Sequence, residues 1–269
     1  MNLSIQSEIL RYYEKGHEAG RLETAAFRWE KIRTLDLLHR FLPVPPAVIL
    51  DIGGGAGAYA FPLAEQGYAV HLIDPVPLHI DQARQRAQTS HAAPETFQVC
   101  DARSLTFQNE TANGVLLFGP LYHLTERKDR LAAIREARRV LRPGGTLMAV
   151  AISRFASSMD GIGRGMFRDP QFARIAEQDL KDGQHRNDTG DFNYFTTAFF
   201  HHPDEFYEEL TEGGFTDVTL RGIEGPVWMP PEPVTAEETD RLMGIMRSIE
   251  ADSTLIGASA HIMAVAAKR

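Results

Sequence analysis

The chain has 269 residues, 43% of them hydrophobic and 24% charged, which is enough apolar material for a sizeable core. Its net charge of −8 argues against a general nucleic-acid binder, because neutralising phosphates needs a basic surface. Cys100 is the single cysteine, which excludes an internal disulfide and a cysteine zinc cluster; with no apolar run of bilayer length and no signal core at the N-terminus, a cytoplasmic setting is expected.

Residues 3–42 are predicted to be helical, since Leu22, Ala26, Trp29, Ile32, Leu35, Leu38 and Phe41 recur at spacings near three and four. Pro43, Pro45 and Pro46 break that pattern. Val48 to Ile52 is an apolar strand that runs into Gly53-Gly54-Gly55-Ala56-Gly57, and a helix is expected over 58–66. Strands follow at 69–73, ending on Asp74, and at 96–100, ending on Asp101, with a helix at 78–89 between them. A fourth strand is expected at 114–118. The amphipathic helix 130–141 is stopped by Arg142-Pro143-Gly144-Gly145, and a fifth strand follows at 146–152. This alternation predicts an α/β, doubly wound, mostly parallel sheet with helices on both faces.

Beyond Ile152 the pattern loosens, and residues 153–202 read as an inserted cap with scattered glycines. A helix at 203–212 and a strand at 215–221 resume the core. A proline-rich loop at 226–233, a helix at 237–251 and a last strand at 261–267 complete it. One domain is therefore expected: arm 1–42, cofactor-binding core 43–152, cap 153–202, and the end of the core, with a second insertion, at 203–269.

Glycines at a strand end let the backbone turn tightly and approach a ligand. Gly53, Gly55 and Ala58 satisfy the relaxed G-x-G-x-x-G/A pattern, which leaves a nicotinamide dinucleotide open as a cofactor. Asp51 and Gly57 extend it to D-x-G-x-G-x-G, and acids close strands two and three. With Asp51, Asp74 and Asp101 at these places, and with Leu141-Arg142-Pro143-Gly144-Gly145 and Val115-Leu116-Leu117-Phe118-Gly119-Pro120-Leu121-Tyr122-His123-Leu124, the chain resembles the class I S-adenosylmethionine-dependent methyltransferases over about residues 48–152. The second of those segments matches a bacterial small-molecule subgroup.

The resemblance implies a Rossmann-like sheet of seven strands, the last two forming an antiparallel hairpin at 215–221 and 261–267, and S-adenosylmethionine as cofactor. Asp51 is then expected near the ammonium end of the cofactor, Asp74 with Pro75 at the ribose, and Asp101 with Ala102 and Arg103 at the adenine. Gly53, Gly55 and Gly57 form the loop, and Phe118 and Gly119 close the site at strand four. Arms in this family often cover the ligands, so Tyr13, Arg28 and Arg33 are assigned to the cofactor, the two arginines to its carboxylate.

Methyl transfer is an in-line displacement in which the protein positions the acceptor and takes up its proton. His123, a residue type that titrates near neutrality, is the candidate base, with Tyr122 beside it; the alternatives are a packed turn over 121–124 with His123 bonded to a backbone carbonyl, and an amine acceptor that needs no base. Tyr12, His17, Arg154, Tyr194, His201 and Trp228 are the candidate acceptor contacts. His201-His202 is poor metal geometry, since neighbours on a strand point to opposite faces, and no metal is expected. The reading is a small-molecule O- or N-methyltransferase with no nucleic-acid or membrane partner. Its rivals are an NAD(P)-dependent oxidoreductase and a non-catalytic cofactor-binding sensor or partner subunit.

Overall fold

The computed structural model describes residues 25–226 and 235–269. Helix α1 (Ala25–Phe41) precedes β1 (Val48–Ile52), α2 (Ala60–Glu65), β2 (Ala69–Asp74), α3 (Pro77–Ala87), β3 (Thr96–Val99) and β4 (Ala112–Leu117). A single turn, α4 (Pro120–His123), leads to α5 (Arg127–Val140) and the long β5 (Leu141–Ser153). The next segment carries α6 (Ala156–Arg164), α7 (Pro170–Asp182), β6 (Gln184–His185) and β7 (Ala198–His201). Helix α8 (Pro203–Glu212), β8 (Thr216–Gly222), α9 (Ala236–Ile249) and β9 (His261–Ala267) complete the chain.

The sheet runs β3-β2-β1-β4-β5, all parallel, and β9 lies antiparallel between β5 and β8. The parallel strands are apolar on both faces because helices cover both. One layer packs Ile134, Ala137 and Val140 of α5 and Phe206 and Leu210 of α8 against Leu50, Val115 and Leu147. The other packs Leu37 and Leu38 of α1 and Phe61 of α2 against Ile49, Val70, Leu116 and Met148. On α5 the buried residues Leu131, Ile134, Ala137 and Val140 recur every three or four positions, as a helix with one apolar face requires.

Two features depart from the sequence expectation. Strand β5 starts at Leu141 instead of Thr146, with a register shift where the Pro-Gly-Gly turn passes Ala112 and Gly114. Gly144 N–H donates to the Lys268 carbonyl and Lys268 N–H to that of Gly145, so the turn stays bonded to the end of the chain. The sheet also has nine strands instead of seven, because the cap contributes β6 and β7. Strand β4 pairs with β5 only as far as Ala149, and β9 fills the other flank up to Ile152. Strand β7 takes the flank β4 leaves, pairing Phe200 with Ile152 and His201 with Ser153. The cap is thereby stitched over α4. Among the described residues no helix is long and apolar enough to cross a membrane.

Candidate functional site

The carboxyl ends of β1, β2 and β4 converge on the glycine loop, the place where doubly wound sheets bind ligands. Gly53 N–H donates to the Ile73 carbonyl, which folds the loop back over β2. Gly53 has φ +78°, and a Cβ there would lie 2.5 Å from the Phe118 carbonyl oxygen and from the Pro120 ring, so the β1 and β4 loops meet only because this residue is glycine. Gly55 (φ +56°) is different: a Cβ there would meet nothing within 4 Å. Its conformation favours glycine, and its free side opens onto space a ligand can fill.

Asp51 is fully buried at the end of β1, and neither carboxylate oxygen has a hydrogen-bond partner among the described residues. Burial, with the nearby charge of Asp74, pushes its pKa up to about 7. A buried carboxyl with no donor is costly to ionise, and a cationic group beside it relieves that cost.

Asp74 is the hinge of the loop. Its Oδ2 accepts from Gly55 N–H at 2.9 Å, and its Oδ1 from Val76 N–H at 2.9 Å and from His79 Nδ1 at 3.0 Å. Pro75, half-buried, stands between Asp74 and Val76. His79 was missed in the sequence; it stands five residues after Asp74, on the first turn of α3, with no motif to mark it. Asp101, beside the buried Ala102, accepts from Arg103 through backbone N–H, Nε and Nη2, and these bonds hold its pKa low despite burial, which pushes upward. Arg103 also pairs with Asp129 at 3.2 Å.

Phe118 packs edge-on against Tyr59, with centroids 5.6 Å apart, and Gly119 turns the chain into α4 with φ +114°. On that turn the rings of Tyr122 and His123 lie 4.7 Å apart. His123 stacks at 6.3 Å on Phe195 from the cap, and Phe195 itself has φ +68° and is held by Asn187, whose side chain donates to its carbonyl. Burial pulls the pKa of His123 down to about 4. The ring is therefore neutral at physiological pH, a weak proton acceptor instead of the near-neutral base the sequence suggests. The short β7 and the Phe195 turn carry no sequence signal that would have placed this aromatic wall.

Several expected ligand contacts are committed elsewhere. Arg33 is fully buried and donates from Nε to the Ile223 carbonyl at 2.9 Å, with Asp36 and Glu250 on its other nitrogens; it locks α1 to the segments around β8 and α9 and does not reach toward the loop. Arg154 donates to the Phe200 carbonyl and pairs with Glu205. Tyr194 donates its hydroxyl to Asp169 within the cap. His201 is fully buried with Nε2 3.3 Å from Glu209, in a network with Arg130. Each polar group is taken by a partner within the protein: for Arg33 and Arg154 these include the distant Ile223 and Phe200 carbonyls, and for His201 the nearby Glu209. Arg28 is exposed on α1. Tyr12, Tyr13, His17 and Trp228 lie outside the described residues.

The parallel sheet with a glycine loop at its carboxyl ends is similar in fold to S-adenosylmethionine-dependent methyltransferases. Comparison with known proteins agrees: residues 49–145 match the model of a methyltransferase domain family. The chain is 33% identical over 116 residues to a ubiquinone biosynthesis O-methyltransferase of Methylocella silvestris, covering 43% of this chain and 44% of that protein. It is 34% identical over 104 residues to a human protein described as a probable tRNA methyltransferase 9B, covering 39% of this chain and 21% of that one. The matched segment spans less than half the length of both. Among solved structures, a phosphoethanolamine N-methyltransferase 2 of Haemonchus contortus, in complex with phosphomonomethylethanolamine and S-adenosylhomocysteine, aligns with TM-score 0.62 at 17% identity, covering 99% of this chain and 60% of that one.

Proposed function

We propose that this chain transfers a methyl group from S-adenosylmethionine to an oxygen or nitrogen of a small molecule. The observation that carries the cofactor end is Asp51, buried with no hydrogen bond among the described residues, beside a glycine loop that opens at Gly55. When bound, the cofactor supplies an electrophilic sulfonium methyl and a cationic amino group. Asp51 offers the charge to match that ammonium. Asp74 fixes the loop through Gly55 and Val76 and presents its carboxylate to the ribose, and Asp101, oriented by Arg103, faces the adenine.

At the transfer end, the neutral imidazole of His123 accepts a hydrogen bond or a proton from the acceptor, and Tyr122 orients it. The aromatic wall of Tyr122, His123 and Phe195, with β7 stitched above it, favours a small acceptor over a polynucleotide. A reducing, cytoplasmic setting belongs to the same reading.

The similarity to the tRNA methyltransferase 9B protein favours a second reading, methylation of RNA. Two measurements test the proposal. Titration calorimetry should show binding of S-adenosylhomocysteine and none of NAD. Labelled methyl from S-adenosylmethionine should then pass to a pool of small phenols and amines and not to tRNA. Transfer to tRNA alone would establish the second reading; NAD binding would overturn both; cofactor binding without transfer to either pool or to cell extract would leave a sensor.

A further inference from the structure

A cavity of about 280 Å³ opens at the amino ends of β4 and β5. Its walls are Asn109 and Glu110 before β4, three arginines of the second half of α5, Gly213 after α8, and Lys268 after β9. The glycine loop follows the carboxyl end of β1, which runs parallel to β4, so the cavity lies at the opposite edge of the sheet. Four of its lining residues are cations, a local reversal of sign in a chain with a net charge of −8.

The cations have different tasks. Arg139 is spent on the fold: it pairs with Glu136 and donates to Asn109 and to the carbonyls of Leu105 and Phe107. Arg138 is not. Its Nε donates to the Gly214 carbonyl at 2.8 Å, and among the described residues no carboxylate pairs with it. A guanidinium carries five N–H donors in a planar fork, so both Nη atoms keep theirs for another acceptor. The group is held in place: Gly214 has φ +94°, and a Cβ there would lie 2.9 Å from Arg138 Nε. Lys268 is more than nine-tenths buried, and its Nζ donates to the Leu141 carbonyl at 2.6 Å and to Glu110 at 3.4 Å. An ammonium has three N–H groups, which leaves one for a further acceptor.

The surrounding carboxylates do not cancel this charge. Arg135 lies 3.8 Å from Glu212, which Arg127 already holds at 2.6 Å. Arg127 also lies 3.7 Å from Glu209, but Arg130 answers that group. Five cations, Arg127 included, therefore face Glu110, Glu136 and Glu212, with an excess of two positive charges among the described residues. Anchored cations with unspent N–H groups suit a dianion, and the guanidinium fork matches phosphate oxygens. We propose that this cavity binds inorganic phosphate or a small phosphate monoester, with Arg138 and Lys268 as the principal donors and Arg135 at the rim. The volume falls just below the usual range of small-molecule pockets, which limits the organic part to a few carbon atoms. The ligand would bridge α5 to the chain after β9, and its binding is independent of the methyl-transfer reading.

The test uses the full chain in a chloride buffer free of phosphate and sulfate, titrated in a calorimeter with inorganic phosphate and with glycerol 3-phosphate. One equivalent should bind with a Kd below about 1 mM, and the melting temperature should rise with ligand. Arg138→Gln should weaken binding at least tenfold with an unchanged circular dichroism spectrum. Lys268→Met keeps most of the buried stem and should do the same; if it fails to fold, Arg138→Gln decides alone. Arg142→Gln, which alters an exposed cation outside the cavity, should bind as the wild type does. No saturable binding by the wild type, equal binding by Arg138→Gln, or an equal loss in Arg142→Gln would overturn the proposal. Tighter binding of an oligonucleotide without terminal phosphates would overturn it in favour of a nucleic-acid backbone.

Discussion

Asp51 and Glu209 are both carboxylates deep in the protein, and their surroundings drive them in opposite directions. Glu209, on α8, receives two nitrogens of Arg130 and Nε2 of His201, and Arg130 lies 3.6 Å over the Phe199 ring. Desolvation pushes Glu209 up, but those hydrogen bonds more than offset it and hold the group at about 2. Asp51, on β1, has no donor among the described residues, and burial pushes it up to about 7. The fold completes one carboxylate for its own stability and leaves the other unfinished. A buried group that folding does not satisfy marks the place where a ligand is expected to satisfy it.

The largest effect should come from breaking the finished side. Arg130→Ala strands Glu209 without its arginine and should cost roughly 3–5 kcal/mol of stability in urea unfolding. S-adenosylhomocysteine affinity should move less than about twofold. An equal loss of binding would show that the two regions are not separate. The pH dependence has a definite sign: the folded pKa of Glu209 is depressed, so its contribution is present above its ordinary value near 4.5 and is lost as pH falls toward about 2.

On the unfinished side, Gly55→Val should lower S-adenosylhomocysteine affinity at least about a hundredfold in calorimetry, roughly 3 kcal/mol, by filling the open side of the loop. The positive φ should cost a further ~1–2 kcal/mol of stability, far short of unfolding. A folded variant with normal affinity would remove the loop from the site.

His123→Ala, assayed with the acceptor found by the methyl-transfer screen, should reduce turnover by about a hundredfold with cofactor affinity intact. Because burial sets the ring at about 4, its protonation should leave the wild-type rate flat between pH 6 and 8 and lower it only toward pH 4. A limb near pH 6.5 traced to His123 would show that the ring is far less buried during turnover.

The smallest effect concerns Asp51 itself. Its folded pKa is raised, so its contribution to stability is full below its ordinary value near 3.8 and is lost as pH rises through about 7. A bound ammonium favours the ionised form, so S-adenosylhomocysteine should bind roughly tenfold more tightly at pH 8 than at pH 6. Asp51→Asn should flatten that slope. An unchanged slope would mean that Asp51 does not face the ammonium.

The cofactor half of the fold is legible because its signals are local. Apolar runs end in glycine or aspartate, and the helix between β4 and β5 shows its period within fourteen residues. The start of α8 at Pro203 and the limits of β9 were readable for the same reason. The segment between β5 and α8 is not legible, because its determinants are distant pairings. Nothing in Ala198–His201 announces that it will pair with the last residues of β5, and nothing near Arg33 announces Glu250, more than two hundred positions away. Buried arginines and histidines look like ligand contacts in a sequence because their internal partners cannot be seen there. Asp51 stands out in the sequence for the opposite reason: the glycine loop it leads into follows it directly along the chain.

The pairing of β7 with β5 also determines how this protein can change. The chain leaves the sheet after Ser153 and returns along β7, whose Phe200 and His201 are the register partners of Ile152 and Ser153, and Arg154 N–H donates to the His201 carbonyl at 2.8 Å. The cap is a loop whose ends are already closed by the sheet, so its length and composition are only weakly coupled to the stability of the core. Residues 155–197 are expected to behave as an exchangeable cassette, which a chimera that keeps its melting temperature would show. A cap from a relative with another acceptor, joined at these two points, would meet the same glycine loop and the same α4 turn, and new specificity could be acquired without rebuilding the cofactor site.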